Sequence, residues 1–115
     1  MALIVAGVSH RTAPIEVRER FAHSTSETGG AVAALRAAAG AREAVLLSTC
    51  NRTEFYLVEG DADAASAVWA HLSARLDGDA TGYGYVRRDR EAVAHLYRVA
   101  SGIDSMVLGE AQIHG

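Results

Sequence analysis

Three observations predict an α+β fold of the ferredoxin-like, split βαβ kind. Apolar runs and helical stripes alternate in the order β-α-β-β-α-β, two of the strands flank one short polar segment, and a further amphipathic stretch follows the last strand. Such a fold is an antiparallel sheet with helices on one face, here with an additional C-terminal helix. At 115 residues, half of them apolar and 22% charged, the chain is expected to form one folded domain spanning 1–115, large enough to bury a core.

Leu3 to Val8 is short, apolar and β-branched, and ends at Ser9-His10, which predicts the first strand. Thr12-Ala13-Pro14 opens a short helix, because proline fits a first helical turn, and Glu16 and Arg20 fall at i, i+4. Ser24 followed by Glu27 has the capping-box form. The helix behind it runs through Val32, Leu35 and Ala39 and stops at Gly40. Ala44-Val45-Leu46-Leu47 and Phe55-Tyr56-Leu57-Val58 read as paired strands. Asp61 or Asp63 caps a helix with the stripe Ala65, Val68, Trp69, Leu72 and Leu76, ending near Asp77-Gly78. Tyr83 to Arg87 alternates as a fourth strand. Asp89 is expected to cap a last helix that buries Val93, Leu96, Tyr97 and Ala100 and ends at Gly102.

The formal net charge of −3 argues against a global field for nucleic acid, so any polyanion contact rests on local arginines. Arg87-Arg88-Asp89-Arg90 reads as a solvated helix entrance. A single cysteine forms no internal disulfide and suits a reducing, cytoplasmic setting. The start lacks the form of a signal peptide, and no apolar run reaches the roughly 20 residues that cross a bilayer. The apolar segment from Met106 to Ile113 has no partner of its own, which suggests a piece of a longer protein.

Cys50 sits in Ser48-Thr49-Cys50-Asn51-Arg52-Thr53-Glu54, between two strands, with Arg52 two residues on to favour thiolate over thiol. The residues alone leave two readings, a nucleophile and a small buried hydrophobe. The five histidines form no His-x-x-His pair, so no metal site is expected. His71 reads as a helix-boundary residue, and His23 as a cation at a helix C-terminus. His95 lies nearly opposite its helix's apolar stripe, either solvated or turned toward Cys50 as a Cys-His pair. No glycine pattern supports a dinucleotide loop, so no cofactor-binding residue is expected in this chain.

Four segments together resemble the N-terminal catalytic domain of the glutamyl-tRNA reductase family. They are Gly7 to Pro14 (GVSHRTAP), Arg18-Glu19-Arg20, Leu47 to Glu54 (LSTCNRTE), and His95 to Ser105 with Leu108 to Ile113. The resemblance implies an oxidoreductase opening tetrapyrrole synthesis. Cys50 would take the glutamyl group from glutamyl-tRNA as a thioester, and NADPH would reduce that to glutamate-1-semialdehyde. It implies His95 as a second catalytic residue, and Thr49, Asn51, Arg52, Ser105, Glu110, Ala111 and Gln112 around the substrate. Arg52 would pair with a carboxylate and Glu110 with the α-ammonium.

The NADPH-binding and dimerisation domains of the family would lie outside this chain. The full-length relatives are expected to be homodimers that hand their product to the aminomutase of the next step. Ala111 departs from the family's usual proline, and His114 from leucine. Two other classes stay open: a non-catalytic tRNA-binding fragment, and a thiol hydrolase of small esters.

Overall fold

The computed structural model describes residues 2–102. Four strands, β1 (Leu3–Ser9), β2 (Glu43–Ser48), β3 (Arg52–Val58) and β4 (Tyr85–Arg88), form one antiparallel sheet in the order β2-β3-β1-β4. The register sets Ser9 opposite Arg52, and Gly7 opposite both Glu54 and Tyr85. This is the sheet order of the predicted split βαβ fold.

The sheet's two faces carry different chemistry because side chains alternate along each strand. Ile4, Ala6, Val8, Phe55 and Leu57 enter the main apolar core, which α1 (Ile15–Phe21), α2 (Thr25–Ala38) and α3 (Ala64–Leu76) cover. From α3 that core takes Ala65, Val68 and Leu72, with Trp69 and Leu76 packed beside them, as the stripe predicted. Ser24 and Glu27 make the reciprocal capping box that starts α2. The backbone bond from Ser24, with Arg75 beside it, holds the Glu27 carboxyl at about 2. The additional helix, α4 (Arg90–Ala100), takes the other face, over Val5 and Tyr56. Among the described residues no helix is long and apolar enough to cross a membrane.

Four local expectations are corrected. Helix α4 buries Ala92, His95 and Val99, whereas Val93 and Leu96 are each 42% exposed and Tyr97 is 73% exposed. The sheet beneath α4 presents a buried carboxylate, so the helix turns its histidine inward instead of its apolar stripe. Asp89 precedes α4 but does not cap it with its side chain: Oδ1 accepts from the backbone N–H of Leu3, 3.1 Å away. Asp63 likewise makes no side-chain cap on α3. Strand β4 begins at Tyr85, because Thr81–Tyr83 closes a 3₁₀ turn first.

Gly7 is required by close packing. A Cβ there would meet the carbonyl oxygen of Thr53 and come within 2.7 Å of Glu54 Cα, both on the neighbouring backbone. Gly7→Ala is therefore expected to destabilise the domain by about 3 kcal/mol. Gly29→Ala, inside α2 with open space around it, should instead stabilise by about 0.5–1 kcal/mol. Urea unfolding of the two variants beside the parent chain measures both.

Candidate functional site

Along β3, Thr53, Phe55 and Leu57 face the three-helix layer, and Thr53 Oγ1 donates to the Phe21 carbonyl. Arg52, Glu54 and Tyr56 face α4. Glu54 is completely buried, and its carboxylate collects donors from three elements. Tyr56 Oη donates to Oε1 at 2.8 Å, Arg52 Nη1 to Oε2 at 3.2 Å and His95 Nε2 to Oε2 at 2.5 Å, and the Tyr85 hydroxyl also donates to Oε2. Burial alone would raise the Glu54 pKa. The hydrogen bond and charge interaction with His95, then the Tyr85 bond and the Arg52 charge, outweigh burial and hold it below its ordinary value. Burial and the Glu54 charge push Tyr56 and Tyr85 up, so both phenols remain protonated donors. An ionised carboxylate only accepts, so the His95 nitrogen facing it is the protonated one.

The Cys50 turn is braced from several sides. Thr49 Oγ1 accepts from the backbone N–H groups of Asn51 and Arg52, at 3.1 and 3.2 Å, and Thr49 N–H donates to the Arg52 carbonyl. The N–H of His10 donates to the Asn51 carbonyl at 2.7 Å, and Arg18 Nη1 to the Cys50 carbonyl at 3.1 Å. Cys50 itself is exposed, not a buried hydrophobe. Thr49 and Asn51 stand beside it as turn-forming residues. The Arg52 side chain is 4% exposed and pairs with Glu54. His95 is neither solvated nor paired with Cys50 through Nε2, which it directs at Glu54. Ser105, Glu110, Ala111 and Gln112, with His114, lie outside the described residues.

A cavity of about 280 Å³ opens on this face, lined by Arg11, Arg52, Arg87 and Arg98 with Tyr85 and His95. The turn after β1 shapes one wall: Ser9 N–H donates to Thr12 Oγ1 at 3.0 Å, and Arg11 N–H to Ser9 Oγ at 3.2 Å. The Arg87 guanidinium lies over the Tyr85 ring, 5.3 Å from its centroid. A larger groove of about 660 Å³, mostly apolar, follows edge strand β2 but holds none of these arginines. Sequence reasoning missed Glu54, Tyr56, Tyr85 and Arg11 as members of the site. The alternation Arg52-x-Glu54-x-Tyr56 was the available signal, since it sets three polar side chains on one face of a central strand.

On the opposite face, His23 and His71 form a pair beneath the root of the Cys50 turn. Their Nε2 atoms are 2.8 Å apart, the rings stack at 5.0 Å, and both meet Phe55 edge-on. The His23 N–H donates to Ser48 Oγ at 3.0 Å. Burial, then the Arg75 charge, lowers both pKa values below 6.5, which replaces the expectation of a His23 cation serving a helix dipole; His71 is half-buried in α3, a boundary residue as expected. Among the described residues no group of three or more His, Cys, Asp or Glu could hold a metal ion. Among the described residues every strand pairing is antiparallel, and no glycine-rich turn leads from a strand into a helix N-terminus.

The family model described as "Glutamyl-tRNAGlu reductase, N-terminal domain" matches residues 6–115. The glutamyl-tRNA reductase of Marinobacter nauticus is 53% identical over 118 residues, covering all of this chain and 27% of the relative. That of Stenotrophomonas maltophilia is 53% identical over 117 residues, with 26% of the relative covered. Among solved structures, glutamyl-tRNA reductase from Methanopyrus kandleri superposes with a TM-score of 0.69 at 34% identity, covering 96% of this chain and 25% of that one. The chain spans about a quarter of the length of the relatives it matches.

Two pH effects follow from the buried groups. The lowered Glu54 pKa contributes stability that is complete above its ordinary value of 4.5 and is lost as pH falls through the lowered folded value. Glu54→Gln should remove that acid-dependent component and cost about 3 kcal/mol at neutral pH, since it takes away one partner of a buried ion pair. The His23–His71 pair binds protons more readily when unfolded, so its contribution is full above pH 6.5 and declines below it. Thermal unfolding between pH 7.5 and 5.5 should show Tm falling toward acid, and His71→Gln should flatten that slope.

Proposed function

The chain belongs to the glutamyl-tRNA reductase N-terminal domain family, and on that footing we propose that it captures the glutamyl group of glutamyl-tRNA as a thioester on Cys50. The Cys50 sulfur attacks the ester carbonyl carbon, a C–S bond forms, and the C–O bond to the terminal ribose breaks. The proton given up by the thiol ends on the released ribose oxygen, which leaves as a hydroxyl. Covalent capture divides a difficult reduction into two easier steps. The observation that carries this reading is an exposed thiol on a braced turn, two residues from an arginine that lines a cavity with His95.

Each side chain has a role its placement supports. Arg52 lines the cavity, and its guanidinium fork suits the substrate's side-chain carboxylate. His95, held at Nε2 by Glu54, has Nδ1 left for the proton that moves to the leaving oxygen. Thr49 and Asn51 fix the turn, and Ser105, Glu110, Ala111 and Gln112 complete the substrate surface. Reduction by NADPH belongs to the whole enzyme, with the cofactor and dimer-forming parts outside this chain, as does handover of product to an aminomutase. A cytoplasmic setting keeps the thiol reduced. The alternative, a fragment that binds tRNA without chemistry, draws support from the arginine-lined cavity.

Incubation with glutamyl-tRNA followed by intact-protein mass spectrometry should reveal one glutamyl adduct, mapped to Cys50 and absent from Cys50→Ser. An adduct surviving that substitution, or none on the parent chain, contradicts thioester capture. His95→Asn should slow adduct formation by about 100-fold while the fold persists. Comparable reaction with simple activated esters would favour the small-ester hydrolase.

A further inference from the structure

Four of the five large apolar side chains exposed among the described residues gather on one side of the molecule. Val93, Leu96 and Tyr97 fall at i, i+3 and i+4 on α4, the outward stripe left when the helix turns His95 to Glu54. Val45, 59% exposed, joins them in the groove along β2. Leu96 and Val99 line that groove from α4, and Val45, Leu47 and Tyr56 line it from the sheet. Single apolar side chains on a surface are ordinary, but a continuous patch marks a contact. The end of α4 shows how the chain enters it. Gly102 takes φ +81°, its N–H donates to the Val99 carbonyl at 3.1 Å, and the Ser101 N–H donates to the Tyr97 carbonyl at 3.0 Å. In such a glycine-ended helix stop, the residue after the glycine commonly lays an apolar side chain on the last turn. Here that residue is Ile103, and the exposed apolar side chain of the last turn is Tyr97.

We propose that residues 103–113 of this same chain dock on the outward stripe of α4 and in the adjoining groove, with Ile103 on Tyr97 and with Met106, Val107 and Leu108 over Leu96 and Val45. The segment carries apolar side chains at four of its first six positions. Val99, which lines the groove, stands three residues before Gly102, so the segment starts at the groove's mouth. A tethered occupant has an effective concentration on the order of millimolar, which a second copy or a separate protein must outcompete. Docking makes α4 a middle layer, with the sheet on one side and the chain's own continuation on the other. The groove reaches Leu47 and Ser48, where β2 runs into the Cys50 turn, so the docked segment packs against the root of that turn. The claim concerns packing and stands apart from the chemistry at Cys50.

The test is side-chain NMR on the 115-residue chain, with labelled Ile, Leu, Val and Met methyl groups and labelled Tyr rings. Through-space contacts should run from Ile103 to the Tyr97 ring, and from Met106, Val107 and Leu108 to Leu96 and Val45, and should persist on dilution. Replacing both Met106→Ser and Val107→Ser should erase the contacts to Leu96 and Val45 while leaving those of Val5 with Tyr56 and Ala92 in place. In urea, Leu96→Ser and the Met106→Ser, Val107→Ser pair should each lower the unfolding midpoint, and all three together should lower it by less than the sum, because touching side chains are coupled. Leu96, Val45 and Tyr97 signals that show no contact with the segment overturn the proposal, as do strictly additive midpoints. Contacts found only between differently labelled chains also overturn it, since they make a second copy the occupant.

Discussion

An ionised carboxylate enclosed in the middle of a sheet constrains everything around it, and Glu54 is such a group. Removing a charge from water costs several kcal/mol, and each charge-assisted hydrogen bond returns only about 1.5–3 kcal/mol. Glu54 therefore needs its whole set of donors, and they come from β3, β4 and α4. Gly7, opposite on β1, leaves the space the Glu54 backbone and side chain occupy. The energetic balance of such a network is near even, so its main effect is geometric: it dictates which face α4 turns inward and where His95 points.

The two faces of the sheet thus divide the work. Three helices bury a conventional apolar core on one side, and that core holds β1 and β3 rigidly enough to fix the turn between β2 and β3. The His23–His71 pair and the Arg18 contact to the Cys50 carbonyl tie the same turn to α1 and α3. On the other side the strands present polar residues to a single helix, leaving an arginine-lined cavity between β4, α4 and the turn after β1. An exposed cysteine on a braced loop, two residues from an arginine that lines the cavity, follows from that division.

Much of this was legible in the residues. The strands and the α2 capping box follow from local patterns, and the motif around Cys50 carried the family. The face of α4 did not follow, because a helical wheel weighs only the helix's own apolar residues. Val93, Leu96 and Tyr97 form the better stripe, yet the partner that decides the matter, Glu54, is 41 residues from His95 in the chain. Asp89 misled for a similar reason, since its side chain serves the start of β1, 86 residues away. Arg52 was recognised, but its pairing with Glu54 was not, a consequence of strand alternation that a reading centred on Cys50 overlooks.

The carboxyl of Glu54 offers the most direct test, through a ¹³C NMR titration of its side-chain carbon in the folded chain. An ionised hub predicts a midpoint below the ordinary 4.5, with the Tyr56, Tyr85 and His95 signals responding to the same proton. A midpoint above 4.5 would mean that burial wins over the donors, and would contradict the account of how His95 is held.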